Sequence, residues 1–175
     1  IFSFLNYRQE ATAMIMACYG GHLGVVQLLL SVDGIRINQT KKNGTTPLFI
    51  SCQGGHLQIV DALLARKEIQ INQAMNDGKT PLYVACKYDH VKVINALLAR
   101  KEIQINQATN NGATPLYGAC KYDHTNLVNV LLARKEIQIN QAKNNGCTPL
   151  YISCQNDRVK IVNALLARKE IQINQ

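Results

Sequence analysis

The chain has 175 residues, of which 47% are hydrophobic and 17% are charged, and this balance excludes an intrinsically disordered protein. No apolar stretch is long enough to cross a bilayer, so we expect no membrane insertion. The formal net charge is +8, but four Arg-Lys-Glu triplets, beginning at Arg66, Arg100, Arg134 and Arg168, supply +4 of it (eight bases less four acids). Basicity alone is therefore weak evidence for a nucleic-acid-binding protein.

A regular period organises the chain. The tripeptide Thr-Pro-Leu begins at Thr46, Thr80, Thr114 and Thr148, and Thr12-Ala13-Met14, one equal step earlier, is a degenerate first copy. The block ALLARKEIQINQ recurs at 62–73, 96–107, 130–141 and 164–175, with Val130 in place of the first alanine in the third of these copies. The period predicts five units in a single domain, at about 1–37, 38–71, 72–105, 106–139 and 140–175.

Each unit begins with a short predicted helix, which the third copy illustrates. Thr80 is a good N-cap, and Pro81 suits the first helical position because the N–H it lacks would have no partner there. Leu82, Ala85 and Cys86 then share one apolar face at i, i+3, i+4 spacing. The first half of the unit is therefore a capped, one-sided helix.

A second predicted helix and a turn complete the unit. The first helix ends at Asp89, where other copies have Gly21 and Gly55, since these residue types tolerate a left-handed backbone. The segment 91–98 has the pattern of an amphipathic helix, followed by basic residues that offset the negative end of its dipole. An extended stretch leads to the turn at Asn110-Asn111-Gly112.

One helix pair of this size cannot bury its own apolar face, whereas stacked pairs form a continuous core. The predicted fold is therefore an all-α repeat solenoid of about five stacked helix-turn-helix units. The first copy lacks a proper hairpin, since Glu10 replaces its turn glycine, and we expect Phe2, Phe4 and Leu5 to cover the apolar end of the stack there. Neither end resembles a polar capping repeat, and Ile1 is not an initiator methionine, so we expect a piece of a longer chain.

The units resemble ankyrin repeats. The Gly-x-Thr-Pro-Leu-His-x-Ala signature of that family is matched by Gly78-Lys79-Thr80-Pro81-Leu82-Tyr83-Val84-Ala85, and its Gly-His step by Gly55-His56. The resemblance covers essentially the whole chain. It implies antiparallel helix pairs in a curved solenoid, with short β-hairpin turns. It also implies a concave recognition surface made of hairpin tips and first helices.

Two departures from the family pattern stand out. The period is one residue longer than the family norm, and the extra residue lies between the second helix and the hairpin. The signature histidine is replaced by Phe49, Tyr83, Tyr117 and Tyr151. A hydroxyl or ring contact would have to substitute for the hydrogen bonds of that histidine.

The cysteines follow the repeat and no metal-ligand spacing. Five of them, Cys18, Cys52, Cys86, Cys120 and Cys154, are each one period apart, and no CxxC pair occurs. We interpret them as small buried side chains of an intracellular, cytoplasmic protein. Cys147 lies outside the period, at a hairpin position, and is expected to be an exposed thiol, either incidental or in contact with a partner.

The histidines and serines do not indicate catalysis. His22, His56, His90 and His124 occupy one repeat position, and stacked helices are about 8–10 Å apart, too far to share a metal with bonds of about 2.1 Å. Ser51 shares its position with Ala85, which favours a packing role. No phosphate-binding glycine loop is present. We predict no catalytic residue, no metal site and no cofactor.

The repeats differ mainly at the hairpin tips and at the end of the first helix, so we predict that a partner binds there. Tyr88 and Tyr122, flanked by Lys87 and Lys121, are the best anchors because tyrosine offers a large contact area at low entropy cost. The remaining candidates are Lys42, Asn43, Thr45, Gln53, Asn76, Asp77, Lys79, Tyr83, Asn110, Asn111, Tyr117, Asn144, Asn145, Tyr151, Gln155 and Asn156.

Three functions are compatible with this pattern. The first is a protein–protein interaction module, a scaffold or targeting domain that is monomeric in isolation and binds a protein partner. The second is nucleic-acid or polyanion binding through lysines such as Lys41 and Lys143, although Asp77, Asp89 and Asp123 interrupt them. The third is a structural spacer in a larger multidomain protein, which the near-identical copies would suit.

Overall fold

The computed structural model describes residues 12–174, which form ten helices of seven or eight residues and no strand. The helices are α1 (Ala13–Tyr19), α2 (Leu23–Leu30), α3 (Pro47–Gly54), α4 (Leu57–Leu64), α5 (Pro81–Lys87), α6 (Val91–Leu98), α7 (Pro115–Lys121), α8 (Thr125–Leu132), α9 (Pro149–Gln155) and α10 (Val159–Leu166). The predicted all-α fold, with two helices in each unit, is confirmed. None of the described helices is long and apolar enough to span a membrane.

The first helix of each pair begins at the predicted threonine. The hydroxyls of Thr46, Thr80, Thr114 and Thr148 each accept a hydrogen bond from the backbone N–H three residues later, at 2.9–3.1 Å. Such a bond satisfies one of the free N–H groups at the helix start. The predicted breaks are also confirmed: Gly55 has a φ of 70°, and Asp89 has a φ of 55° in the equivalent place.

Tight hairpin turns join each second helix to the next repeat. In the third repeat the N–H of Met75 donates to the carbonyl of Lys79 at 2.9 Å, and Gly78 has a φ of +81°. The turns also bond to one another, because the N–H of Asn110 donates to the carbonyl of Asp77 at 3.0 Å. A Cβ on Gly78 would lie 2.5 Å from the backbone nitrogen of Asn110, so only glycine fits between adjacent hairpins.

A single apolar core runs the length of the stack. The first helices α1, α3, α5, α7 and α9 pack side by side in chain order, and each second helix packs on the first helix of its own pair. Leu82 and Leu116 from the first helices, and Leu97 and Leu131 from the second, are fully buried. Each such side chain contributes roughly 1.5–3 kcal/mol to stability. Every pair therefore depends on its neighbours for burial.

Arginine side chains connect consecutive second helices. Arg66 donates to the carbonyl of Leu30 at 3.0 Å, and Arg100 donates to the carbonyl of Leu64 at 3.1 Å. These carbonyls are at the C-terminus of the preceding repeat's second helix, where free carbonyls need donors. Arg100 is the second residue after α6, but its hydrogen-bond partner, Leu64, belongs to the second helix of the preceding repeat.

Asparagine side chains connect the segments that follow the second helices. The amide of Asn72 donates to the carbonyl of Glu102 at 2.7 Å, and its oxygen accepts from the N–H of Gln104 at 2.9 Å. Asn38 and Asn106 make the same pair of bonds one repeat earlier and one repeat later. The arginine and asparagine side chains of the block ALLARKEIQINQ thus connect it to its neighbouring copies.

The cysteine predictions are correct for four residues and need two corrections. Cys18, Cys52, Cys86 and Cys120 are buried, and burial raises the pKa of Cys18 to about 11 and that of Cys120 to about 12. Cys154 is exposed, because no described residue covers that side of the fifth repeat. Cys147 is partly buried and packs against the core, whereas an exposed position was expected. The residues expected to cover the first repeat, Phe2, Phe4 and Leu5, lie outside the described residues, as does Glu10.

Candidate binding surface

The tip residues of the hairpins hold their own turns. The side-chain oxygen of Asn43 accepts from the N–H of Thr45 at 3.1 Å and from its hydroxyl at 2.7 Å. Asp77 accepts from the N–H of Lys79 at 3.1 Å and forms an ion pair with its ammonium at 2.7 Å. This ion pair and these hydrogen bonds hold the pKa of Asp77 below its usual range, against the effect of partial burial. These groups stabilise the turn shape first.

The asparagine that begins each of three hairpin tips donates a hydrogen bond to the hairpin of the preceding repeat. The amide groups of Asn76, Asn110 and Asn144 donate to the carbonyls of Lys42, Asn76 and Asn110, at 3.0, 2.8 and 3.0 Å. All three asparagines are nevertheless exposed to solvent. They form a continuous polar edge of fixed geometry, while Thr45 is buried beneath its own turn.

The aromatic residues at the signature-histidine position lie mostly inside the stack. Tyr83 is only 8% exposed, and its ring lies over Gly118 of the next repeat, whose Cβ position is 3.5 Å from Cε2 of Tyr83. Burial raises the pKa of the Tyr83 hydroxyl to about 12. Tyr117 is 5% exposed, and Tyr151 alone of the three tyrosines is open, at 51%. Little of Tyr83 or Tyr117 is accessible to a partner.

Tyr88 and Tyr122, at the ends of α5 and α7, are exposed by 45% and 40%. The ammonium of Lys87 lies 5.1 Å from the ring centroid of Tyr88 and 5.8 Å from that of Tyr122, so one lysine bridges two repeats. Lys121 lies 5.6 Å from the Tyr122 centroid. We call these four residues the tyrosine–lysine surface.

The lysines at this surface differ from the nearby carboxylates in whether they have a charged partner. Lys87 and Lys121 form no ion pair with any described residue, and Lys143 has only a contact of 5.4 Å with the Tyr117 ring. The nearby carboxylates already have cationic or ionisable neighbours. Asp123 is 3.1 Å from Arg158, and Asp89 is 3.9 Å from Nδ1 of His124. The charge of these three lysines is therefore not offset within residues 12–174.

A groove of about 290 Å³ adjoins the surface, lined by Tyr19, Ile50, Gln53, Gly54 and Tyr88. Gly54 occupies the repeat position of Tyr88 and Tyr122, so no tyrosine side chain extends from this position beside the groove. Tyr19, which is 57% exposed, is absent from the sequence-based candidates. Tyr19 occupies the same repeat position as Gln53 and Lys87, and because this position varies between repeats, the sequence could have identified it.

The histidines form inter-repeat hydrogen bonds. Nε2 of His90 lies 3.0 Å from the carbonyl of Gln53, and Nε2 of His124 lies 3.0 Å from the carbonyl of Lys87. A carbonyl only accepts, so Nε2 carries the proton in both rings. The described residues contain no group of three or more His, Cys, Asp or Glu side chains arranged to hold a metal ion. These imidazoles orient the ends of the first helices, and so the tyrosine–lysine surface.

The end of α9 offers a weaker version of the same position. Gln155 is exposed and Asn156 is half-buried, and neither places a ring on the surface. The anchor residues are thus concentrated on the third and fourth repeats, and the groove lies on the first to third.

The chain matches a known family. The family model described as "Ankyrin repeats (3 copies)" matches residues 13–109 and 98–175, almost the full length of the chain. No curated protein matches the chain.

Proposed function

Because this chain belongs to the ankyrin-repeat family, we propose that it holds a protein partner on the tyrosine–lysine surface and the adjoining hairpin tips. Ankyrin repeats are generally protein–protein interaction modules, and their fold is typically a non-enzymatic binding scaffold. The proposal gives this general role a location on the chain. Tyr88 and Tyr122 are its anchors, Lys87 and Lys121 are their cationic neighbours, and the hairpin tips form a polar rim.

The observation that carries the proposal is the bridged tyrosine pair. Two rings that are 40% and 45% exposed lie on consecutive repeats, and the Lys87 ammonium is close to both centroids, at 5.1 and 5.8 Å. Large aromatic side chains held by neighbouring groups lose little entropy on binding, which is why tyrosine is enriched in interface hot spots. His90 and His124 stack on these rings with centroids 6.2 and 6.3 Å away, which fixes their orientation.

Affinity capture with a matched pair of double variants tests the proposal. Tyr88→Ala with Tyr122→Ala should weaken binding of the captured protein by about 2 kcal/mol or more for each tyrosine, the usual cost at a hot spot. Lys92→Ala with Asn95→Ala, two exposed positions on α6, is the control and should bind as the wild type does. Circular dichroism confirms that both variants are folded. Equal capture by all three proteins would place the binding site elsewhere.

A further inference from the structure

Building on the proposed function, we infer the chemistry of the partner: an extended acidic peptide segment that inserts one bulky apolar side chain into the groove beside Tyr88. Its carboxylates bind Lys87 and Lys121, and its apolar residue contacts Tyr19, Ile50 and Tyr88. The inference rests on three observations. Lys87 and Lys121 form no ion pair with a described residue, a groove is open at Gly54, and the repeat arginines bond to helix ends away from this surface.

The charge of the surface favours carboxylates in the partner. The ammonium groups of Lys87, Lys121 and Lys143 form no ion pair with a carboxylate of the described residues. In contrast, Asp77 pairs with Lys79 at 2.7 Å and Asp123 pairs with Arg158 at 3.1 Å. Opposite charges across an interface raise the association rate and select partners. Three lysines without an ion pair thus accompany one carboxylate, Asp89, whose neighbour is His124 at 3.9 Å, and this balance favours an anionic partner.

The groove favours a single large side chain. Its volume of about 290 Å³ is at the lower limit for small-molecule sites and suits one apolar side chain of a peptide. Ile50, which is buried and apolar, lines the groove together with the exposed rings of Tyr19 and Tyr88. The glycine at 54, where the next two repeats have tyrosine, keeps this space open.

The positions of these features along the surface give the order of the peptide residues and their spacing. Tyr88 borders the groove, and Lys87 is its neighbour, so the first carboxylate lies close to the apolar residue. Lys121 is one repeat further, about 8–10 Å away. An extended chain rises about 3.3 Å per residue, so the two carboxylates are about three residues apart in the peptide.

The arginines argue against a nucleic acid as the occupant. Arginine is the preferred residue for bidentate phosphate recognition. Arg66, Arg100, Arg134 and Arg168 donate to the carbonyls of Leu30, Leu64, Leu98 and Leu132. Arg158 pairs with Asp123. The surface thus offers lysines interrupted by aspartates, a pattern that suits a few spaced carboxylates better than a continuous phosphate chain.

Selection from a displayed library of random 12-residue peptides on the purified protein tests the inference. The enriched peptides should contain one Phe, Tyr, Trp or Leu and two acidic residues, the second about three positions from the first. Lys87→Gln with Lys121→Gln should weaken these peptides about three- to tenfold and remove the acidic preference. Lys92→Gln with Lys160→Gln, on the second helices, is the charge-matched control.

Filling the groove gives an independent test. Gly54→Tyr copies the arrangement of Tyr88 and His90 in the next repeat, so the fold should tolerate it once the His56 ring turns aside from the new Cβ. The variant should lose the preference for the apolar residue and keep the preference for acidic residues. A preference for the apolar residue that survives in Gly54→Tyr would overturn the assignment of the groove.

The remaining outcomes separate the two proposals. Enrichment of neutral or basic peptides, or no enrichment, contradicts the acidic partner. The acidic partner is also contradicted if a nucleic-acid duplex of about 20 base pairs binds more tightly than the peptides and Lys87→Gln with Lys121→Gln abolishes that binding. If Tyr88→Ala with Tyr122→Ala abolishes peptide binding while no acidic preference exists, the proposed surface stands and only the partner chemistry is wrong. If peptide binding ignores the tyrosines, the proposed surface itself is wrong.

Discussion

The fourth and fifth repeats have nearly the same sequence and very different surroundings. Tyr117 of the fourth repeat is 5% exposed, while Tyr151, its counterpart in the fifth, is 51% exposed. Leu132 and Leu166 belong to closely matching segments and are 5% and 44% exposed. The fifth repeat covers the fourth, and no described residue covers the fifth. Burial at these positions is therefore a property of the neighbouring repeat, and each pair of equivalent residues is an internal control.

The largest expected effect concerns the reactivity of two equivalent thiols. Cys120 is buried, and its pKa is raised to about 12, so at pH 8 only about one molecule in ten thousand carries the reactive thiolate. Cys154 is exposed. Iodoacetamide should label Cys154 in the folded protein at least about a thousandfold faster than Cys120, as peptide mass spectrometry can measure.

Denaturation provides the control for this comparison. In concentrated guanidinium chloride the two thiols should react at similar rates, because neither keeps its neighbours. Similar rates in the folded protein would mean that the fifth repeat does not bury Cys120.

The next effect is on stability. Leu132→Ala removes a side chain that the fifth repeat encloses, and should lower the free energy of unfolding by about 2–4 kcal/mol. Leu166→Ala, in the same local sequence, should cost less than about 1 kcal/mol because much of that side chain is already in water. Urea denaturation followed by circular dichroism measures both. Equal costs would show that burial by the next repeat does not decide the stability of this position.

The smallest effect distinguishes two hairpin glycines. Gly112 and Gly146 have φ values of +83° and +80°, so alanine at either position meets the same backbone strain of about 1 kcal/mol. A Cβ on Gly112 would also lie 2.8 Å from the backbone nitrogen of Asn144, whereas a Cβ on Gly146 meets nothing within 4 Å. Gly112→Ala should therefore cost about 1–2 kcal/mol more than Gly146→Ala in thermal unfolding. Identical melting temperatures would show that the hairpins do not pack against each other.

The architecture was predictable because its determinants are local and repeated. The threonine caps, Pro81 and the left-handed Asp89 follow from rules that concern a few consecutive residues, and the structure confirms them. The period then multiplies each prediction along the chain. Stacking follows because a single pair cannot bury its apolar face.

Contacts between repeats were harder to predict. The expected burial of Cys154 was wrong because it was assigned to a repeat position, whereas a following repeat provides it. Tyr83 and Tyr88 are close in sequence and both aromatic, yet one is enclosed by the next repeat and the other lies open. Periodicity does not reveal which neighbour covers a ring. The groove was missed because Gly54 contributes to it by lacking a side chain, and Tyr19 because its repeat is the most degenerate.

Consecutive ALLARKEIQINQ blocks are bonded through the asparagine of the earlier block and the arginine of the later one, and this has a consequence for how such a protein changes over generations. Since the three junctions between these blocks are made from the same two halves, removing or duplicating one whole period within residues 62–175 leaves the remaining junctions correctly paired. The number of units is thus free to vary by recombination. Order matters only where the units differ, so an exchange of units would rearrange the succession of glycine, tyrosine and lysine at the helix ends while leaving the scaffold intact.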